Sequence, residues 1–224
     1  MEIAKTTFLG NSSLGIFALA TDKYILLPHS IKQNILETVE KVLEAPIIQT
    51  TVGGTVLVGA MVAGNSNFLF VPSTISPEEM RLIQSPLEGK VEIIELESKL
   101  TALGNLISMN DKGAIISETF EKHVQKKIED TIGIEVVFGN LMESPLVGTL
   151  AFSTNKGALV HPLLSEEESR AISSVLRVKT DLCTVNRGVP YPRVGIIANS
   201  KGAVIGTDTT GPESMRIFEV LLSP

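Results

Sequence analysis

The sequence predicts an α/β fold of five ββαβ modules about a pseudo-fivefold axis, closed into a ring by the N-terminal strand. Three observations predict it. A glycine-opened hairpin pattern recurs at a near-constant period, and a helix signal follows each hairpin. The closing strand that the last module lacks stands at the start of the chain. A repeat of this length fixes the architecture before any single element is assigned.

The repeat anchors on Gly15, Gly59, Gly104, Gly148 and Gly195, spaced 44, 45, 44 and 47 residues apart, and the last interval predicts a longer loop. Each glycine opens an apolar hairpin such as "GIFALATDKYILLP" or "GTLAFSTNKGALVHP". The tips carry Asp22-Lys23, Asn65-Ser66-Asn67, Asn110-Asp111-Lys112-Gly113, Thr154-Asn155-Lys156-Gly157 and Asn199-Ser200-Lys201-Gly202. These residue types tolerate positive φ or bond their own backbone in turns. The anchoring glycines predict a close approach of backbone to backbone at the module junction.

Helix starts are written plainly. Ser76 with Pro77 and Glu79, Ser165 with Glu168, and Thr210 with Pro212 and Glu213 are capping boxes. Ile31, Ile35, Val39, Val42 and Leu43 in the first unit, and Phe120, Val124 and Ile128 in the third, recur at helical spacing. A third strand follows each helix and runs into the next glycine, except after the fifth. The segment 3–15 has the 13-residue length of those from Ile47, Val136 and Cys183 to their glycines. The N-terminal strand therefore completes the fifth module, and residues 1–224 read as one domain without linkers. An open stack would need polar end caps; a ring removes the exposed edge instead.

Composition narrows the function classes. The 224 residues are 43% hydrophobic and only 4% aromatic, with no Trp, so the packing is aliphatic and β-branched. The lone Cys183 excludes an internal disulfide and a multi-cysteine metal cluster, and it suits a reducing, cytoplasmic setting. No apolar run is long enough to span a bilayer, and the N-terminus is a poor targeting peptide. A net charge of −6 argues against a broad grip on nucleic-acid phosphates. His29, His123 and His161 lack a second ligand at metal spacing, so no metal or cofactor is expected. "TTVGGTVLVG" lacks the Lys-Ser/Thr of a phosphate loop.

One family carries these features in this order. "TALGN" (101–105), "ND" (110–111), "GALVHP" (157–162), "TVNRG" (184–188) and "GTDTT" (206–210) resemble the translation initiation factor 6 family across essentially the whole chain. The resemblance implies the pentein fold, an α/β-propeller, which guanidine-modifying hydrolases and transferases share. It also implies a role: binding the large ribosomal subunit at its subunit-joining face and sterically preventing association with the small subunit, without catalysis. The partners it implies are mainly ribosomal proteins near the sarcin–ricin region, with any rRNA contact local, engaged by a monomer. Eukaryotic members carry a tail beyond the fifth repeat and take part in large-subunit maturation, so this chain resembles the archaeal form.

Candidate ribosome-binding residues follow from the resemblance plus the repeat: Ala60, Asn105 and Thr149 just after their glycines, with Asn65 and Leu150 nearby. Asn105 stands out because the positions matched to it, Ile16 and Ile196, are apolar. Ala60 departs from the basic residue that eukaryotic relatives tend to carry. Asn186 and Arg187 of "NRG" read either as a turn with an ion pair or as a further contact. The competing function, a pentein-type guanidine-modifying enzyme, needs Cys183 as nucleophile. Cys183 matches Ile3, Ile47 and Val136 by spacing, which predicts a buried, unreactive thiol.

Overall fold

In a computed structural model, residues 2–223 are described. Five three-stranded sheets repeat one topology: an inner strand pairs antiparallel with a middle strand, which pairs parallel with an outer strand. In the first module these are Leu19–Ala20, Ile25–Leu27 and Ile47–Gln49, with the helix Gln33–Leu43 crossing over. The parallel pair requires that crossover. The outer strand of the fifth module is the N-terminal Glu2–Thr6, in register with Gly202–Gly206. The ring is closed as the sequence predicts.

The helices Pro77–Leu87, Glu166–Leu176 and Gly211–Leu221 start on the expected capping boxes. The apolar face of each helix is buried, but not against its own module alone. Val42 of the first helix presses on Gly202 of the fifth sheet, Val175 of the fourth on Gly113 of the third, and Val220 of the fifth on Gly157 of the fourth. A Cβ at these three glycines would overlap the helix carbonyl. The tip glycines therefore answer to helix packing, since none of them has positive φ. The cores consequently sit between modules: one cluster joins Ile25, Val39 and Leu43 to Ile197 and Val204, another joins Phe70 and Leu96 to Phe120 and Ile128.

A second link couples neighbours. After four outer strands the chain makes a tight turn with left-handed residues, and into three of these turns the capping-box glutamate of the next module's long helix bonds. Glu79 accepts from Thr51 Oγ1 (2.6 Å) and from the N–H of Gly53 (3.0 Å) and Gly54 (2.9 Å). Glu213 accepts from Thr184 Oγ1 (2.8 Å) and the Gly188 N–H (2.9 Å), and Glu168 from the Met142 N–H (2.7 Å). In the third helix the N-cap Glu121 does this to Ser98 (2.6 Å). The first helix has Ile35 at the glutamate position and no such staple.

Burial alone would raise the carboxyl pKa of Glu79 and Glu213. The converging donors outweigh it, Ser76 N–H foremost at Glu79 and Thr210 N–H at Glu213, and hold both at about 2. Because the folded values lie below the unfolded ones, this stability is present above about pH 4.3 and lost as pH falls toward 2. The melting temperature is expected to drop between pH 5 and 2. A Glu79→Gln/Glu213→Gln variant should melt at least ~4 °C lower at pH 7 and show a shallower acid fall, read by circular dichroism. Parallel pH curves for variant and parent would remove the staples from the account.

Candidate functional site

Residues of all five modules meet at two small cavities, one at each end of the inner strands. At one end, the short helical turns Leu14–Ile16, Val58–Met61, Leu103–Leu106, Val147–Leu150 and Pro192–Gly195 form a ring. A Cβ on Gly59 would overlap the carbonyls of Gly15 and Ala18; on Gly104, those of Gly59 and Val62; on Gly148, those of Gly104 and Ile107. On Gly15 it would meet the carbonyls of Arg193 and Ile196. The same offset of three residues recurs each time.

The fifth ring position is thus Arg193 and not Gly195, which corrects the sequence reading. With Arg193 the last interval becomes 45 residues, in step with the others. The predicted long loop shrinks to one extra residue, in the turn bridged by Val185 and Val189 where other turns bridge over one fewer. The residue matched to Asn105 is then Val194 and not Ile196, beside Ile16, Ala60 and Thr149. Gly195 meets the Val185 side chain.

The predicted site residues separate on this frame. Ala60, Asn105 and Thr149 line one small cavity of about 10 Å³ at the ring mouth, with Ile16, Val194 and Arg193. Thr149 Oγ1 bonds Asn105 Oδ1 (3.2 Å). Arg193 Nη2 donates to the Gly59 carbonyl (3.1 Å). Arg193 as a whole is half-buried, and burial of its guanidinium holds the pKa down to about 10, so it stays charged at neutral pH. Leu150 is buried in the core of the fourth module.

Asn186 and Arg187 lie in an exit turn with φ of 48° and 65°. The Asn186 amide is consumed there, donating to the Ser12 carbonyl (2.9 Å) and accepting from Thr209 (3.0 Å). Arg187 is exposed and 3.9 Å from Asp208, a pair worth little.

Asn65 is at the opposite mouth, beyond the inner strand Ala63–Gly64. There Asn65 donates to the Asn110 carbonyl (2.8 Å), Asn110 to that of Thr154 (3.0 Å), and Asn199 to that of Thr21 (3.0 Å). The cavity, about 30 Å³, also holds Asp22 and Asp111, bridged by Asn155 Nδ2 at 2.9 and 2.6 Å. These tips lace the modules together. No histidine or cysteine reaches this mouth, and among the described residues no group of His, Cys, Asp and Glu could hold a metal ion.

Cys183 follows the outer strand Lys179–Leu182, where Thr180 pairs with Ala158 as Ile3 does with Ala203. Its equivalents are therefore Thr6 and Thr50, three residues beyond Ile3 and Ile47, a second register correction. It is 4% exposed all the same. Burial, helped by Glu213, pushes the thiol up to about 12. His161 caps a turn by accepting from the Leu163 N–H (3.1 Å), and His123 is exposed.

The family model described as eIF-6 family matches residues 3–220. The chain belongs to the eIF-6 family. Curated relatives named Translation initiation factor 6 agree: that of Methanococcus vannielii is 44% identical over 223 residues, 98% of each chain, and that of Pyrococcus abyssi 38% identical over 99% of each. An eIF-6 family chain is accordingly a translation initiation factor. Among solved structures, the N-terminal domain of ArgZ, a cyanobacterial arginine dihydrolase, superposes with a TM-score of 0.58 at 12% identity, covering 85% of this chain and 76% of that one. This eIF-6 member thus has the pentein fold. Among the described residues no helix is long and apolar enough to cross a membrane.

Arg193 is what sequence reading missed. Its signal was present: a single charge in the otherwise apolar "VPYPRVGII", at the distance the period demands.

Proposed function

We propose that this chain binds the large ribosomal subunit at its joining face and blocks the small subunit sterically, as a monomer in the cytoplasm, without catalysis. Membership of the eIF-6 family carries the reading. The end bearing the ring of turns is the docking face, with Ala60, Asn105 and Thr149 at its centre and Arg187 at its margin. Asn65 and Leu150 fall outside it, because one lies at the other mouth and the other is in the core. A closed ring loses little freedom on docking, so little ordering entropy opposes binding. An acidic body favours basic ribosomal-protein surface over bare rRNA, with charge acting mostly on encounter.

The experiment is sedimentation of purified protein with isolated large and small subunits. Saturating protein is expected to cosediment with large subunits and to deplete joined ribosomes. Asn105→Ala should weaken binding about tenfold without changing the melt, and Cys183→Ala should change neither. Normal joining at saturation would sink the proposal. The guanidine-modifying alternative has little support: the thiol is buried, and no histidine lines either mouth.

A further inference from the structure

At the ring mouth the hydrogen-bonding inventory is lopsided. Arg193 has five N–H donors, of which one finds an acceptor, the Gly59 carbonyl. Asn105 Oδ1 is taken by the Thr149 hydroxyl, and among the described residues the Asn105 Nδ2 has no acceptor. Among the described residues no carboxylate pairs with Arg193, although the chain carries 25 acidic residues against 19 Lys and Arg. Apart from that carbonyl the donors of this half-buried charge are not sealed in the interior, so they are open to an incoming acceptor. The repeat also went out of its way to place it there. Four modules put glycine at this position, and the fifth combines an inserted turn residue with an arginine whose side chain reaches across the ring to Gly59 and Gly104.

The surroundings say what kind of molecule brings the missing acceptor. The N-cap of each short turn stands two residues before the ring position, outside the cavity lining, and three of these caps are apolar and substantially exposed: Leu57 (38%), Leu146 (42%) and Tyr191 (40%), the last packed on the His161 ring. Exposed apolar side chains on the same turns as one cation fit a protein segment. A phosphate backbone calls for several clustered cations, and none of the other residues lining the cavity is basic. The cavity holds about one water, so the group that enters is small.

We propose that Arg193, with the Asn105 amide, binds a carboxylate presented by an apolar segment of the partner protein, through a forked, charge-assisted pair. This rests on the docking face proposed above. Arginine suits it because the guanidinium fork matches both carboxylate oxygens, which a lysine ammonium does not.

Large-subunit cosedimentation titrations with wild type, Arg193→Gln and Arg193→Lys test it, each variant first checked for a wild-type melt. Arg193→Gln is expected to weaken binding tenfold or more, and Arg193→Lys to recover part of that loss. Equal binding by all three overturns the carboxylate site and leaves the docking proposal standing. Failure of the wild type to bind sinks the docking proposal itself. Titration with short Leu-rich peptides, followed at the Arg193 Nε–H by NMR, then decides the site alone. A peptide with a free C-terminus, or an amidated one containing Glu, should shift the signal, the pair telling a chain end from a side chain. The amidated peptide without Glu should not. No shift with either acid overturns the inference. So does a dependence on Arg193 that persists on protein-free rRNA, which would mean phosphate.

Discussion

Gly104→Ala is expected to cost more than ~3 kcal/mol, a large fraction of the ~5–15 kcal/mol that holds a typical domain. The added methyl would overlap the carbonyls of Gly59 and Val62 and crowd the Arg193 guanidinium. Backbone atoms, not the ends of flexible side chains, are in the way. Relief would require the turn Leu103–Leu106 to move outward, yet its own Gly104 carbonyl packs on Gly148 in the next turn. A shift therefore propagates round a closed ring with no free end. Urea denaturation reads the loss, with Gly211→Ala as the control. That glycine meets nothing within 4 Å and starts a helix, so alanine there should be neutral or stabilise by ~0.5 kcal/mol. Coincident curves for Gly104→Ala and wild type would contradict the close packing of the turns.

The ring was legible in the sequence because the same steric demand recurs at a fixed distance, and glycine is the residue that meets it. The exception shows the limit of that signal. At the fifth position the backbone keeps its place while the residue is Arg193, so a search for glycine settled two residues too late. Together with the extra residue in the Val185–Val189 turn, the slip becomes three residues at Cys183, which stands with Thr6 and Thr50. Period is the better guide when identity and period disagree. The capping boxes were legible because they are local: Ser76 and Glu79 are one helical turn apart. Their second task, holding Gly53 and Gly54 in the preceding module's exit turn, was not, since partners 25 and 26 residues away leave no local pattern. The tip glycines were misread for the same reason. Gly157 looks like turn chemistry, but what forbids a side chain is Val220 in the next module's helix. The candidate site was half legible. Ala60, Asn105 and Thr149 share a ring position and so share a mouth, whereas Asn65 looked adjacent along the chain and is an inner strand away.

Deleting residues 1–6 is expected to abolish the cooperative, monomeric fold. Those residues include the strand Glu2–Thr6, which supplies the parallel partner of Gly202–Gly206 and carries Ala4 into the core where the first helix meets the fifth sheet. Without it the middle strand of the fifth module becomes an edge with unpaired N–H and C=O groups, a template for another chain. The consequences distinguish a ring from a stack. In an open array, loss of a terminal strand frays the last repeat and leaves the others folded. In this chain the first helix packs on the fifth sheet, so the damage reaches both ends of the sequence at once. The truncated protein should elute as dimers or larger species by size exclusion with light scattering, and should lose its sharp melt. A synthetic peptide of residues 1–7 added in trans should restore part of the monomer, because the vacated groove is an unfilled sheet edge. A truncated monomer that melts like the parent would mean the ring does not depend on its closing strand, and the rigidity assigned to the docking body would go with it.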